Sequence, residues 1–547
     1  MSLLEHKKSL LIIGGIIIVG GVALTVNAKS QPAKTKVAQS INLYESANIT
    51  SLDTSKVTDS VSNMQLTQVD EGLYRLNKHS QPVNALATKT TVSNGGKTYT
   101  IDLRHNGKWS NGQAVTAHDF VYSWERTLNP KTKSEFTYVF TNIKNADAIA
   151  AGKKSPRTLG VKATGKYQLR ITLSKPAAYF KKMLAGVTFY PLNETAVKKY
   201  GSKYGTSAKT TVYNGAFVMT GWNGTNDTWT LKKNPTYRAN KVVKLKTINY
   251  QVIKSSATAY NLYQANKLDT VTLSGEQNVQ NKNNPELQTI SDGRVGFIQY
   301  NEKDKTAANR DLRTAISLAI NRQQLTQKVL QNGSVPTKSF SISNMLKNPK
   351  TGADFTTDSY TKNTANYDLN AAKKLFKAAQ KQLGKQQLTL TITCGDDDTT
   401  KQAAEFIQGQ LTSHLKGLKV NVHAIPFNSM LSKVSSGDFQ LNLTSWSMDF
   451  ADPSQALTIL TSTSNSNMGH YHSATFDQAM QAADGKDALN PTARYQDLLK
   501  AEKIAMHDQA VTPLYEGRSQ LLVKSKLKGV VTNEFSGAMD YRTAYIK

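Results

Sequence analysis

LTLTITCGDDDTTKQAAEFIQGQLTSHLKGLKVNVHAIPFNSMLSKVSSGDFQLNLTSW, residues 388–446, decides the fold. Leu388 to Thr393 alternates apolar and polar residues and predicts a strand. Lys401 to Leu415 predicts a helix, Leu418 to Ile425 a strand, Asn428 to Val434 a short helix, and Phe439 to Trp446 a strand with no charged residue. Strands that alternate with helices argue for a parallel or mixed sheet with covering helices, an α/β architecture.

Directly beyond this run stands Trp446-Ser447-Met448-Asp449-Phe450-Ala451-Asp452-Pro453. Asp449 is a carboxylate between Met448 and Phe450. Buried there without a partner it would be costly, or it would take up a proton. A cation from outside the protein satisfies it. So does an internal Lys or Arg, or exposure at a loop tip, and the residues alone rank those two readings first. Asp452-Pro453 is expected to open the next helix, with Asp as N-cap and Pro in the first turn.

Working outward, Leu312, Ala315, Ile316, Ala319 and Ile320 make the apolar face of a helix. Asp368 caps another, with Leu369, Ala372, Leu375 and Phe376 inward, and Thr492 to Asp508 predicts a third. The N-terminal half has a different texture. Strands are expected at Ile41–Tyr44, Tyr99–Leu103, Tyr167–Leu173 and Ile248–Ile253. Hairpins are expected at Asn214-Gly215 and Trp222-Asn223-Gly224, leading through Trp229 to Leu231. Thr116 and Asp119 form a capping-box pair ahead of Phe120, Val121, Trp124 and Leu128, and Asn129-Pro130 ends that helix. Mixed sheets in one half and βαβ texture in the other imply at least two lobes.

The 547 residues, 39% hydrophobic and 20% charged, describe a globular chain able to bury a sizeable core. The single cysteine, Cys394, excludes an intramolecular disulfide and a cysteine-rich zinc site, and reads as a small packed residue. Lys7 and Lys8 precede an uncharged apolar run from Leu10 to Val26, and Val26-Asn27-Ala28 offers small residues for cleavage. Residues 1–28 are therefore a secretory signal or an N-terminal anchor, and 29–40 a polar tether. The net charge of +29 is spread along the chain without a zinc-finger, helix-turn-helix or RNP-type pattern. An anionic cell wall or membrane surface is the expected partner of that charge, and nucleic acid is not.

Catalytic patterns are absent: no H-E-x-x-H, G-x-S-x-G or P-loop occurs. His470-Tyr471-His472 has no acidic or cysteine neighbours to complete a metal site. Asp396-Asp397-Asp398 lacks the spacing of a calcium loop and sits where a helix start favours acids. No catalytic residue, metal or cofactor is expected.

LRHNGKWSNGQAVTAHDFVYSWERTLNP, Leu103–Pro130, resembles the signature of the peptide-binding solute receptors of ABC importers (extracellular solute-binding protein family 5, oligopeptide-binding branch). Asn214-Gly215-Ala216-Phe217, Lys233-Asn234-Pro235-Thr236-Tyr237, Ala319-Ile320-Asn321-Arg322 and Gly469-His470-Tyr471 continue the likeness in family order. The resemblance implies a two-lobed, closing fold with mixed sheets. Lobe I is then 41–72, 198–298 and 518–547, an inserted domain 73–197, and lobe II 299–517. It implies an exported, non-catalytic and monomeric receptor that gives oligopeptides to an importer permease. The receptor is held at the outer face of the cytoplasmic membrane or the wall without a lipid, because no cysteine follows the signal. It also implies that an aspartate in a Trp-x-x-Asp segment, here Asp449, holds the peptide's α-ammonium. Ser445, Trp446 and Ser447 bond its main chain, Thr58, Asp59 and Ser60 supply an opposite strand, and Tyr138 supports the ammonium site. The alternatives are a receptor for one peptide signal or a non-peptide ligand such as a metal chelate, or a basic surface adhesin.

Overall fold

The computed structural model describes residues 37–533, 535 and 539–547. The expected signal or anchor at 1–28, and the tether through residue 36, lie outside the described residues. Among those residues no helix is long and apolar enough to cross a membrane.

Three principal sheets organise the chain from Gln39 onward. In the first, Ser40–Glu45 runs parallel to Thr247–Val252, which pairs antiparallel with Thr228–Lys233 and through it with Phe217–Thr220. Its core gathers Ile41, Leu43, Leu231, Ile248 and Trp229, whose ring stacks on Tyr250 at 5.5 Å. The turn at Trp222-Asn223-Gly224 is the expected hairpin. Asn214-Gly215 is not a hairpin. A Cβ on Gly215 would stand 2.5 Å from the backbone of Val69 and Asp70, so glycine allows that close approach. Asn214 and Glu71 exchange hydrogen bonds of 2.8 and 2.9 Å across it.

The second sheet is antiparallel: Ala87–Ser93, Thr98–Leu103, Gln168–Thr172 and Val161–Gly165, in that spatial order. Helix Ala117–Leu128 packs on it through the buried Phe120, Trp124 and Leu128. Its start is the expected capping box, with the Asp119 carboxylate accepting from the Thr116 N–H at 2.7 Å. Trp124, Phe140 and Phe189 meet edge-on or tilted; burying such rings contributes about 1.5–3 kcal/mol each.

The third sheet has seven strands and contains residues 388–446. Leu388–Gly395 runs parallel to both Leu418–Ile425 and Leu441–Ser447; the remaining pairs are antiparallel, so the sheet is mixed. Helices Arg310–Ala319, Leu369–Leu383 and Asp398–His414 cover it through Leu312, Ile316, Phe376, Ile407 and Leu411, and Cys394 is packed among them. Asp397 caps the last of these by accepting from Thr400 N–H at 3.0 Å, which employs the middle carboxylate of the acidic triplet.

Two strands cross between the first core and the third sheet. Leu287–Tyr300 and Val511–Val523 pair antiparallel over their length. At one end Val511–Val523 also pairs with Thr270–Thr272; at the other Leu287–Tyr300 pairs with Leu441–Ser447. The register shifts twice. Ser291 pairs with Arg518 but Arg294 with Gly517, so Asp292 and Gly293 are extra; Gly296 pairs with Tyr515 but Phe297 with Pro513, so Leu514 is extra. Gly293 has φ +61°, the left-handed conformation a bulge needs and glycine tolerates.

Candidate ligand site

Strand Leu441–Ser447 is bound along one edge by Leu287–Tyr300, from Leu441↔Tyr300 to Ser447↔Arg294. Along its other edge the partner strand Leu388–Gly395 reaches only Leu443. Thr444, Ser445, Trp446 and Ser447 therefore present one unpaired backbone edge among the described residues, the feature to which an extended peptide can add as a strand. Ser445 and Ser447 share one face. Trp446 lies on the other, partly buried in the core beneath.

The chain leaves this strand through a tightly held turn. Trp446 Nε1–H donates to the Gln455 carbonyl at 2.9 Å, the Asp449 N–H donates to Gln455 Oε1 at 3.1 Å, and the Met448 N–H donates to the bulge carbonyl of Gly293 at 2.7 Å. These bonds fix the backbone at Asp449. Its carboxylate has neither a hydrogen bond nor an ion pair among the described residues. Water reaches it, yet protein crowds it, and this desolvation raises its pKa above the ordinary carboxylate value with no cation offsetting the shift. Tyr138, in the short 3-10 turn Thr137–Phe140, faces the same space. Burial, and then the Asp449 charge, raise the pKa of its phenol.

Asp449 borders a cavity of ≈ 120 Å³ shared with Thr67, Arg75, Lys182, Asp540 and Arg542. None of its cations forms an ion pair with Asp449 among the described residues: Arg542 lies 4.0 Å from Asp540. Lys182 Nζ donates to the Ala451 carbonyl, and Arg75 lies 3.8 Å from Glu71 and 3.7 Å from Asp540. Of the two internal readings of Asp449, the buried Lys or Arg partner belongs instead to its neighbour. Asp452 receives two bonds from Arg494, at 2.8 and 2.9 Å. Asp452 also accepts from Ser454 N–H at 3.1 Å, so it caps the turn Ser454–Leu457 while Pro453 stands at the position expected for Asp.

The structure brings Ser445, Trp446, Ser447, Asp449 and Tyr138 together. It corrects the strand expected at Thr58, Asp59 and Ser60. Thr58 and Asp59 lead into helix Ser60–Val69, and the Asp59 carboxylate caps it by accepting from Ser62 N–H at 2.7 Å. No strand runs through these three residues: Asp59 keeps an extended backbone, but Ser60 is already helical. It is Thr67, about 12 Å further along the helix axis, that reaches the cavity. Arg75, Lys182 and Arg542 were not legible as site residues, because lysines and arginines are scattered through a chain this basic. His470 and His472 are not on a strand either: His470 has φ +57°, and His472 Nδ1 lies 2.8 Å from Ser462 Oγ.

Residues 81–468 match the family described as bacterial extracellular solute-binding proteins, family 5. The chain belongs to that family. This family 5 receptor is 36% identical over 531 residues to a dipeptide-binding protein of Lactococcus lactis, covering 94% of this chain and 96% of that one. Among solved structures it is similar to Listeria monocytogenes OppA bound to peptide, with 37% identity, a TM-score of 0.76, and coverage of 94% of this chain and 100% of that one. It is likewise similar to the pheromone receptor PrgZ, with 37% identity, a TM-score of 0.77, and coverage of 93% and 100%. The mixed sheets and crossing strands are those of the two-lobed solute-binding fold, and the family consists of binding receptors rather than enzymes.

Two buried carboxyls, one of them Asp70 in the wall of the same cavity, make stability of the receptor pH-dependent. Burial pushes Glu45 and Asp70 each up to about 8. A carboxyl with a raised folded pKa contributes stability that is complete below the unfolded value, near 4, and is lost as pH rises toward the folded value. Urea midpoints are expected to fall between pH 5 and 8, and Asp70→Asn with Glu45→Gln to flatten that fall.

Proposed function

We propose that this protein captures oligopeptides by their free amino end and hands them to an ABC importer in the membrane. The observation that carries the reading is the unpartnered Asp449 carboxylate at the end of an unpaired strand edge. An α-ammonium supplies the missing counter-charge, and the peptide main chain supplies the missing ladder bonds. Neither interaction reads side chains, which suits a receptor for mixed peptides. The relatives named for dipeptides and for bound peptide support this reading.

The finer picture follows the same lines. Asp449, Ser445, Trp446, Ser447 and Tyr138 form the peptide site. Thr58, Asp59 and Ser60 act through the position of the helix they lead into. The protein works as an exported monomer, held at an anionic surface by its N-terminal segment or its net charge of +29. Lobe I is 41–72, 198–298 and 518–547, the inserted domain 73–197 and lobe II 299–517; the separate apolar cores around Leu231, Trp124 and Ile392 support this division.

Calorimetry with one peptide and its N-acetylated twin tests the proposal. Tight binding of the free peptide alone is the expected result, and equal affinity for both would sink it. The likeness to a pheromone receptor favours, as a second reading, a receptor for one peptide signal. A mixed peptide library separates the two: a receptor for one signal retains a single sequence, and a general receptor retains many.

A further inference from the structure

The three residues that follow Asp449 are each gripped by a different side chain. Phe450 stacks on Tyr179, with ring centroids 5.0 Å apart and planes 18° apart. The Ala451 carbonyl accepts from Lys182 Nζ. Asp452 is held by Arg494, whose guanidinium also lies 5.5 Å from the centre of the Tyr179 ring. Tyr179 immediately precedes the short helix Phe180–Met183 and Lys182 lies within it, and Tyr179 packs on the apolar core that contains Trp124. Met448 and Ala451 belong to a different core, shared with Val295 and Phe297. Arg494 lies on helix Pro491–His507 of this same core, whereas Tyr179 and Lys182 hold the turn from another body of the fold, and Lys175, 3.8 Å from Asp484, bridges the same two bodies.

We infer that Tyr179 and Lys182 are positioning residues that hold the Asp449 turn in place only while the segment around Phe180 is docked, so that the amino-end site is assembled by closure. This rests on the reading of Asp449 as the ammonium site and names its regulation. The Met448, Asp449 and Trp446 bonds to Gly293 and Gln455 fix the near side of the turn. Phe450 and Ala451 fix the far side through Tyr179 and Lys182. With the far side released, the carboxylate gains rotational freedom and water. An ammonium–carboxylate pair in water is worth a fraction of the same pair in a dry cleft. The receptor then tells free from blocked amino ends in its closed state and loses that distinction as it opens.

The test uses the full chain with Tyr179→Ala and Lys182→Met combined, and Tyr179→Phe with Lys182→Arg as the conservative pair. Carboxyl carbon NMR of the unliganded proteins follows Asp449, assigned by its loss in Asp449→Asn. Its titration is expected to move toward the ordinary carboxylate range in the first pair and to stay at its wild-type position in the second. Stopped-flow release of a labelled tetrapeptide is expected to quicken at least tenfold in the first pair, with release of its N-acetylated twin unchanged. An unmoved Asp449 titration overturns the inference whether or not any peptide binds, and so does equal acceleration of both twins, which marks the clamp as a general closure contact. A wild-type receptor that holds both twins equally defeats the underlying peptide reading, a result the NMR arm keeps separate.

Discussion

Asp449→Ala is expected to weaken a free-amino peptide by about 2–5 kcal/mol, a loss of roughly 30-fold or more, and to leave its N-acetylated twin within a few-fold. The asymmetry follows from what surrounds the carboxylate. Among the described residues no cation pairs with it: Lys182 is held by Ala451, Arg494 by Asp452, and Arg75 and Arg542 stand beside Asp540. On the proposed reading the arriving ammonium is its counter-ion, and removing the carboxylate leaves that ammonium unpaired once the site closes over it. A pH dependence comes with it. Desolvation raises the Asp449 pKa, and a bound ammonium favours the ionised form, so affinity is full above the raised pKa and declines as pH falls through it. The decline begins at higher pH than it would for an ordinary exposed carboxylate, and binding releases protons in that range. Calorimetry in buffers of different ionisation enthalpy counts them; a proton count of zero at every pH counts against the assignment.

Arg494→Ala is expected to give the largest stability loss, about 3–5 kcal/mol, because it leaves Asp452 buried and uncompensated. The pair is well shielded: the side chains are 5% and 3% exposed. Burial pushes the Asp452 pKa up, but the Arg494 charge and hydrogen bonds, with help from Lys182 and Ser454, outweigh it and hold the carboxyl below its ordinary value. A depressed carboxyl contributes stability that is present above its unfolded pKa, about 3.9, and is lost as pH falls through the folded value. Denaturant titrations should thus find wild type and Arg494→Ala far apart at neutral pH and converging below about pH 4. The double substitution Asp452→Leu with Arg494→Met is expected to recover much of the loss, since an apolar pair fills the space without stranding a charge. A double variant no more stable than Arg494→Ala would speak against desolvation as the cause.

Residues with a strict period were legible from the chain. Leu418–Ile425 forms over the residues its alternation marks, and the helices around Ile316 and Phe376 bury the faces their spacing predicts. The crossing strand Leu287–Tyr300 was not legible, because Ser291-Asp292-Gly293 reads as a turn and the bulge there breaks the alternation. Helix Ser60–Val69 was hidden for a different reason. Its apolar residues, Val61, Leu66 and Val69, are few, and Gln65 and Gln68 are buried beside them through hydrogen bonds to Glu45 and the Met539 carbonyl. At the site, Asp449 could be singled out as a carboxylate needing a partner. That no partner meets it among the described residues depends on where Arg494 and Lys182 fold to, over distances in sequence that no local pattern reports.

The extra residues of the crossing strands carry a consequence for what this chain can lose or gain. Two extra residues on one strand and one on the other leave a net offset of one between the two halves of the pair. In a sheet an offset of one exchanges the two faces. Each half therefore keeps its own frame: Leu287 and Ile290 meet the cores on one side of the hinge, and Val295, Phe297, Ile298 and Tyr300 those on the other. Deleting Leu514 alone would remove the extra residue from Val511–Val523 and turn Val511 and Pro513 to the opposite face relative to Glu516 and the residues beyond it. Insertions and deletions that surface loops absorb are thus barred from this short stretch, and the hinge is the part of the molecule whose length, more than its residue types, must be conserved.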